Sequence, residues 1–264
     1  MHTRPPFALT KWYFDCVAAD GRAVIGYWAS LAWRGVALTW QSVTLHEPGR
    51  PPFTRSSLAS APPPEATDGT IAWNAPTLAC VARIESRQRP IDERLLDCET
   101  GVVEWRVEAP AAAVSFELQG IAPVRGAGYA ERIFIGVPAW RLPIRELRWG
   151  RWLDAAAGRS VVWIDWRGES PRTWVFVDAV RVPGAVVTDE GVSADGMTLV
   201  LGERRTLQTR KFAEIAARIP PLRAMAPKSM LALEETKWCS AGTLRQRNAA
   251  AQAGCAIHEL AVFR

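Results

Sequence analysis

One acidic residue in the middle of the chain has surroundings suited to proton transfer. Glu131 lies in the segment GYAERIFIGV, whose alternation of side chains is typical of a β-strand. Alternate residues of a strand share a face, so Glu131 is predicted to lie beside Tyr129, Ile133 and Ile135. Burial among such residues disfavours the charged form of a carboxyl group, and a neutral acid can protonate an alkene. Glu131 is therefore a candidate catalytic acid.

Two further charged residues follow within the next 35 positions, each beside a tryptophan. Arg151 belongs to ELRWGRWL with Trp149, and Asp165 belongs to VVWIDWRG with Trp163. The intervening DAAAGR predicts a turn, so these four side chains are expected to lie close together on a hairpin. Asp165 and Arg151 are thus candidate catalytic residues, although a structural pair between arginine and carboxylate explains the pattern equally well.

The elements that must position these residues read as strands almost throughout. Short apolar alternations are separated by Gly, Pro, Asn and Asp, which favours an all-β fold of two antiparallel β-barrels side by side. KWYFDCVAADGRAVIGYWASL predicts a hairpin that turns at Asp20 and Gly21. A composition break at 120–129 places the boundary between a domain of residues 1–122 and one of residues 123–264.

Two segments interrupt the strand pattern. Residues 48–69 are rich in Pro, Ser and Ala, which predicts a long loop that serves as a lid or as a surface excursion. The segment RKFAEIAARIPPLRAM has helical spacing and a double-proline stop, so it predicts one short helix near Lys211 to Ile219, in the C-terminal half.

Tryptophan is the unusual feature of the composition. The 264 residues include 13 Trp, against 3 Tyr and 8 Phe. Trp suits a wide β core, a subunit interface or a pocket for a bulky apolar ligand. The net charge of +5 comes from dispersed arginines without a basic block, so nucleic-acid binding is not expected.

Cysteines and histidines show no metal-binding pattern. The 5 Cys and 3 His lack the spacing of a zinc site, and an odd number of cysteines suits free thiols in a reducing cytoplasm. His46 and His258 each precede a glutamate, but neighbours in a strand point to opposite faces, so neither dipeptide forms a ready catalytic pair. We expect a cytoplasmic protein without a metal, which an apolar ligand could bring transiently to a membrane surface.

Several short motifs resemble the lipocalin-like family of hydroxyneurosporene synthase, a carotenoid hydratase, and the AttH-type proteins. Trp12, Tyr13, Phe14 and Asp15 precede the Asp20-Gly21 turn as in that family. GAGYAERI, the later WGR at 149–151 and the closing GTLRQRNAAAQAGCAIHELAVF are also similar. The resemblance implies two lipocalin-like barrels, no cofactor and an apolar ligand such as an isoprenoid or a polyketide. The family more often has Asp where this chain has Glu131.

These observations predict a cofactor-independent enzyme that hydrates, isomerises or cyclises an apolar unsaturated molecule. The proton would come from Glu131 or Asp165, and tryptophan faces would stabilise a cation. The expected ligand-binding residues are Tyr129, Trp149, Trp163, Trp12 and Trp28. Two alternatives remain: a lipocalin-like carrier that binds a hydrophobic metabolite without turnover, and a structural module whose tryptophans only fill the core.

Overall fold

A computed structural model describes residues 7–154, 158–217 and 227–263 of the chain. About two thirds of these residues form antiparallel strands in two separate sheets, which confirms the predicted all-β class. The strands of the first sheet are β1 Phe7–Val17, β2 Ala23–Trp33, β3 Val36–His46, β4 Phe53–Ser57, β5 Glu65–Thr67, β6 Thr70–Ala75, β7 Cys80–Ser86, β8 Ile91–Cys98, β9 Gly101–Leu118 and β10 Val124–Ile135. The strands of the second sheet are β11 Ile144–Asp154, β12 Arg159–Gly168, β13 Arg172–Val177, β14 Val180–Arg181, β15 Val186–Val187, β16 Gly191–Ala194, β17 Met197–Lys211, β18 Glu234–Gln246 and β19 Gln252–Val262.

The first sheet curls into a half-barrel around its own core. Its strand order is β4-β3-β2-β1-β10-β9-β7-β6-β5, and β8 pairs with β9 outside this path. Phe14, Trp73 and Phe116 are among the buried residues of the core that fills the concave side. We call the face of the sheet that carries these residues its inner face, and the opposite face its outer face.

The second sheet repeats this arrangement around a second core. Its order is β14-β13-β12-β11-β19-β18-β17-β16-β15. Trp152, Trp163 and Leu244 belong to the core and define the inner face of this sheet. Each sheet therefore encloses its own hydrophobic core, as two lipocalin-like units require.

The boundary between the two compact units falls between Pro138 and Ala139. The composition break at 120–129 placed it earlier, after residue 122. The difference arises because β10 follows that break and still belongs to the first sheet, where it pairs with β1 and β9. Gly120 marks the turn that precedes β10, with a φ of +82°.

The predicted N-terminal hairpin is confirmed in its register and in its turn. β1 pairs with β2 from Phe7 opposite Trp33 to Val17 opposite Ala23. The turn closes through a bond from the Gly21 amide to the Ala18 carbonyl, at 3.0 Å. Gly21 has a φ of +83°, a left-handed conformation that glycine adopts at little cost.

The predicted long loop at 48–69 is partly wrong, since it contains β4 and β5. Residues 58–64 connect these two strands. The helix predicted near Lys211 to Ile219 is present as α1, Phe212–Ala217, and its last two predicted residues lie outside the described part of the chain. A second short helix, α2, spans Lys228–Leu231. Two 3-10 turns cover Pro76–Leu78 and Ala139–Arg141.

In the three described ranges, every helix is too short or too polar to cross a lipid bilayer.

Candidate functional site

Glu131 lies on the outer face of the first sheet, buried and surrounded by aromatic residues. Its carboxylate oxygen Oε2 accepts a hydrogen bond from Trp105 Nε1 at 2.6 Å and another from the Tyr129 hydroxyl at 2.7 Å. Only 9% of Glu131 is exposed. An indole nitrogen can only donate, so Oε2 is an acceptor oxygen and any acidic proton of this group belongs on Oε1. The carboxyl orientation is thus fixed by two donors.

A second buried carboxylate lies one strand away on the same face. Asp15 is directly opposite Tyr129 in the pairing of β1 with β10, and Tyr13 is opposite Glu131. The Tyr13 hydroxyl donates to Asp15 at 2.9 Å, and the ring centroids of Tyr13 and Tyr129 are 6.2 Å apart. The outer face therefore carries two tyrosine–carboxylate pairs side by side.

The residue after Glu131 points to the other face and belongs to a different site. Arg132 forms a salt bridge with Glu108 at 3.6 Å, and its guanidinium lies 5.7 Å from the centroid of the Trp12 ring. Arg106 binds the same Glu108 at 2.9 Å. Arg132 therefore pairs with Glu108, on the opposite face of β10 from Glu131.

These inner-face residues begin a row that crosses five strands. The pairings place Arg106 opposite Arg132, Arg132 opposite Trp12, Trp12 opposite Trp28, and Trp28 opposite Gln41. Directly opposed residues of antiparallel strands share a face, so the row forms one continuous band. Trp12 and Trp28 in this band belong to the same buried core as Phe14. Trp12 and Trp28, both predicted to bind ligand, lie together in this band.

A cavity of about 470 Å³ opens beside one end of the row. We call it the first-unit pocket. Trp12 and Ile71 supply apolar surface to it, and Arg106, Glu108 and Arg132 supply charge. The other residues that line it are Pro64, Ala66, Thr67, Asp68, Gly69, Thr70, Ser86, Gln88 and Pro90. Its volume falls within the range that holds a small organic ligand.

The segment 58–64 lies against this row. The Trp28 indole donates to the Ala61 carbonyl at 3.2 Å, and Pro64 lines the first-unit pocket. This contact places residues 58–64, a part of the predicted lid segment, beside Trp28 of the row.

Two polar side chains inside the first half-barrel lack hydrogen bonds among the described residues. They are Gln41, through both of its amide atoms, and Trp73, through its indole nitrogen. Gln41 is fully buried and Trp73 is 1% exposed. A buried polar group without a partner costs about 1–3 kcal/mol, so such groups mark positions where a bound molecule can supply the missing bonds.

The predicted grouping of Trp149, Arg151, Trp163 and Asp165 is wrong. In the hairpin of β11 and β12, Trp163 is opposite Gly150 and Asp165 is opposite Arg148. Trp163 and Asp165 therefore share the inner face, whereas Trp149 and Arg151 lie on the outer face. A shift of one residue in register exchanges the faces of a whole strand, and sequence alternation does not fix that register.

Asp165 is held in a network of charged and polar groups. Its two oxygens accept bonds from Arg167 Nε and Thr173 Oγ1, both at 2.7 Å. Arg167 also bonds Glu146 at 3.0 Å, and Glu146 accepts a second bond from Arg148 at 2.7 Å. This arrangement fits the structural alternative better than a proton donor, because both carboxylate oxygens of Asp165 accept bonds.

Arg151 and Trp149 lie on the buried outer face of the second sheet. Arg151 is 1% exposed, and its guanidinium donates to the Cys255 carbonyl at 2.9 Å. The ammonium group of Lys237 lies 4.7 Å from the Trp149 ring centroid and bonds Glu259. Glu131 lies in the first unit, so the three predicted catalytic residues occupy two sheets and, within the second sheet, two faces.

The inner face of the second sheet contains a serine–histidine pair that sequence spacing did not suggest. Ser240 Oγ lies 2.9 Å from His258 Nε2, and the Trp238 ring stacks on the imidazole at 5.3 Å. Burial, followed by the charges of Arg204 and Lys237, lowers the pKa of His258 to about 4 against the opposing effect of Asp189. His258 is therefore neutral at pH 7. The adjoining cavity holds only about 20 Å³, enough for one water.

The sequence does contain signals for some site residues that were not predicted from it. Gln41 occupies a position that alternates with Val43 and Leu45, so a polar residue on a core face was visible in VALTWQSVTLH. Glu104, Arg106 and Glu108 alternate in VVEWRVEAP and predict one charged face. No comparable signal links Ser240 with His258, because they lie on different strands.

Comparison with known proteins gives similarity at the level of structure. No protein-family model matches the sequence, and no curated protein sequence matches it. CghA, solved with Sch210972, aligns with a TM-score of 0.56 and 11% identity, over 98% of this chain and 89% of CghA. An AttH-type protein from Nitrosomonas europaea aligns with a TM-score of 0.54 and 13% identity. The alignment covers 98% of this chain and 93% of the AttH-type protein.

A third similar structure is kievitone hydratase from Nectria haematococca. Its TM-score is 0.58 at 8% identity, over 96% of this chain and 88% of the hydratase. Identities this low establish a shared fold and nothing finer. The similarities extend over both units, and they confirm the lipocalin-like fold that the resemblance of the WYFD and GYAERI segments implied. This chain therefore has the lipocalin-like fold of the AttH-type proteins.

Proposed function

We propose that this protein is an enzyme that acts on a small, largely apolar, unsaturated molecule by acid-assisted addition or rearrangement, with Glu131 as the acid. The observation that carries the proposal is the environment of Glu131. Its carboxyl group is buried, bonded by Trp105 and Tyr129 through one oxygen, and adjacent to the Tyr13 ring. An acid fixed in this way can present a proton in one direction with little reorganisation.

In each possible reaction, the proton that Glu131 gives up is returned to it by water or by the substrate. Glu131 gives its proton to one alkene carbon, and a carbocation forms at the other. In hydration, water adds to the cation and returns a proton to the carboxylate. In cyclisation or isomerisation, a second double bond attacks or a neighbouring carbon loses a proton, which also restores the acid. Aromatic faces such as those of Trp105 and Tyr13 stabilise the cation.

The structural relatives support this proposal through their names. Kievitone hydratase is, by name, an enzyme that adds or removes water, and it shares the fold of this chain over both units. A hydratase is consistent with an acid that works without a cofactor. The predicted absence of a cofactor, the assignment of Asp165 and Arg151 to catalysis and the apolar class of ligand remain proposals.

Turnover in heavy water tests the proposal. The protein is incubated in D₂O with all-trans-retinol, geranylgeraniol and a linear polyene, and the products are identified by mass spectrometry. Hydration adds one D₂O, whereas isomerisation or cyclisation through protonation places one deuterium on carbon. Glu131→Gln keeps the size and hydrogen-bonding capacity of the side chain but removes the acid, so turnover should fall by about 100-fold or more.

Glu117→Gln is the matched control, because it makes the same change at an exposed position of β9. It should leave turnover and melting temperature unchanged. A Glu131→Gln protein that remains folded and turns over substrate at the wild-type rate would remove Glu131 from the mechanism. A protein that only loses stability would show that Glu131 is structural.

A second function, binding without turnover, is favoured by the first-unit pocket. Its volume of about 470 Å³ and the adjoining row of Trp12, Trp28 and the unsatisfied Gln41 suit a ligand with an apolar body and one polar group. Binding of all-trans-retinol can be measured by the quenching of tryptophan fluorescence. An affinity at least tenfold weaker in Trp12→Ala than in the wild type would support binding in this pocket. Tight binding with no product in D₂O would favour this carrier over the enzyme.

A further inference from the structure

Two cysteines of the second sheet are placed close enough to react with each other. Cys239 lies on β18 and Cys255 on the neighbouring β19, and their sulfur atoms are 3.3 Å apart. Cys239 is directly opposite Ile257, and Cys255 is opposite Ala241. The two cysteines are therefore diagonal neighbours on one face of an antiparallel pair, although they are 16 residues apart in sequence.

From this arrangement we propose that Cys239 and Cys255 form a reversible oxidation site, at which a peroxide converts the dithiol into an intramolecular disulfide. The reaction does not depend on the proposed enzymatic function. It assigns a chemical role to two side chains that the acid-assisted mechanism does not use.

The surroundings favour Cys239 as the thiol that reacts first. Arg205 is opposite Cys239 on β17, and Arg151 is opposite Ile257, the partner of Cys239 on the other side. Two arginines thus flank the sulfur within the same row of the sheet. The hydrogen bond between the Cys239 and Cys255 sulfur atoms, together with the two arginines, lowers the pKa of Cys239 below its ordinary value. A thiolate is the form that attacks peroxide.

The two steps balance in atoms and electrons. The Cys239 thiolate attacks one oxygen of hydrogen peroxide, the O–O bond breaks, and the products are Cys239 sulfenic acid and hydroxide. The Cys255 sulfur then attacks the sulfenic sulfur, the S–S bond forms, and the sulfenic oxygen leaves as water after taking a proton. Two thiols and one peroxide give one disulfide and two waters.

The geometry also favours reversal. The sulfur atoms must approach from 3.3 Å to about 2.0 Å. Diagonal neighbours in a sheet have Cα atoms about 7–8 Å apart, beyond the usual spacing of bridged cysteines. The disulfide is therefore expected to form under oxidant and to be reduced readily by a dithiol, which is typical of regulatory rather than structural disulfides.

Other cysteines provide internal controls. Cys80 is buried, and burial raises the pKa of its thiol to about 12, so it should stay reduced. Cys16 is fully buried in the first core. Cys98 is exposed, and its bonds with Thr100 lower the pKa of its thiol. Cys98 should therefore react with peroxide but has no partner sulfur among the described residues.

Peptide mapping tests the proposal on the intact chain. Fully reduced protein is treated with hydrogen peroxide, remaining thiols are blocked with iodoacetamide in denaturant, and the protein is digested with trypsin without reductant. The expected product links peptide 238–245 to peptide 248–264 and disappears after dithiothreitol. In Cys255→Ser, the linked peptide should be replaced by a Cys239 sulfenic acid that dimedone traps. Arg205→Gln should slow the loss of the Cys239 thiol by threefold or more.

Two results would overturn the proposal, and both come from the wild-type protein. One is an unmodified Cys239 at a peroxide concentration that fully oxidises Cys98. The other is oxidation of Cys239 to sulfinic acid without any linked peptide, which would show that Cys255 cannot reach it. Because both results are measured on the wild-type protein, a folding defect in Cys255→Ser would not affect this test.

Discussion

Among single residues, Glu131 and His258 show how burial and partners set chemical behaviour. Glu131 receives two hydrogen bonds on one oxygen, and His258 is kept neutral by burial and by neighbouring cations. Both residues occur beside an oppositely facing charged neighbour, Arg132 and Glu259. In each case, the two consecutive residues lie on opposite faces of the strand, so their side chains make different contacts.

The bond from Tyr129 to Glu131 can be removed almost alone. Tyr129→Phe deletes the hydroxyl and leaves the buried ring, so the free energy of unfolding should fall by about 1–3 kcal/mol, the usual cost of leaving a buried acceptor without its partner. Urea denaturation measures the change. In a Glu131→Gln background, the same substitution should cost less, and equal costs in both backgrounds would show that the bond contributes nothing.

The depressed pKa of His258 predicts a loss of stability in acid. Its folded-state pKa of about 4 lies below the unfolded value, so the unfolded chain binds the proton first as pH falls. The stabilising contribution is complete above about pH 6.5 and declines toward pH 4, by about 2 kcal/mol at pH 5. The contribution of His258 is isolated by comparing the free energies of unfolding of the wild type and His258→Gln, measured in urea at pH 7.5 and pH 5. A difference that does not change with pH would contradict the assignment.

At the level of elements, strand register decides which side chains meet. The hairpin of β11 and β12 places Trp163 over Gly150, where a Cβ would lie only 2.2 Å from the indole ring. Glycine is thus required by the neighbouring ring rather than by its backbone angle. In the first sheet, the register aligns Trp12, Trp28 and Gln41 into one row.

Gly150→Ala should therefore destabilise the second sheet. The buried Trp163 has little room to move, so a loss of about 1–3 kcal/mol is expected from overpacking. Thermal and urea unfolding measure it. Gly202→Ala is the matched control, since the nearest atom to its added Cβ is 3.4 Å away. Similar losses in the two variants would show that contact with Trp163 is not the cause.

The bond from Trp28 to Ala61 predicts how the segment 58–64 is held. Trp28→Phe removes the donor, so amide hydrogens of residues 58–64 should exchange at least severalfold faster. Trp166→Phe is the control, because its indole donates to the Pro143 carbonyl in the other unit. It should leave residues 58–64 unchanged. Unchanged exchange in Trp28→Phe would mean that other contacts hold the segment.

At the level of the whole molecule, the chain is two curled sheets, each with its own core. The first unit holds Glu131 on one face and the first-unit pocket on the other. The second unit holds the Asp165 network and the Ser240–His258 pair on its inner face, and the cysteine pair on its outer face. The two units therefore share a fold but differ in the chemistry they carry.

The state of the thiols is a property of the whole chain. All five cysteines carry thiols rather than disulfides. Reduced protein should give five thiols per chain with Ellman's reagent in denaturant, and dithiothreitol should leave its melting temperature unchanged. After mild peroxide treatment of a Cys98→Ser protein, the count should fall from four to two. A freshly reduced preparation with fewer than five reactive thiols would contradict the assignment.

The sequence by itself determined the class of fold and the local elements. Period-two alternation predicted strands, the Asp20-Gly21 pair predicted the first turn, and WYFD and GYAERI indicated the lipocalin-like family. It also placed Glu131 on a face with Tyr129, because alternation within one strand is a local property. Trp12 and Trp28 were identified as ligand-binding candidates, and the hairpin brings them together.

Only the tertiary structure decided which strands belong together and in what register. Strand β10 joins the first sheet despite the composition break before it, which moved the boundary to Pro138 and separated Glu131 from Arg151 and Asp165. The one-residue offset between β11 and β12 put Arg151 and Asp165 on opposite faces. Pairing between strands depends on contacts that are distant in sequence, and a single-residue shift reverses every face. For the same physical reason, the proximity of Cys239 to Cys255 and of Ser240 to His258 emerged only when the sheet was assembled.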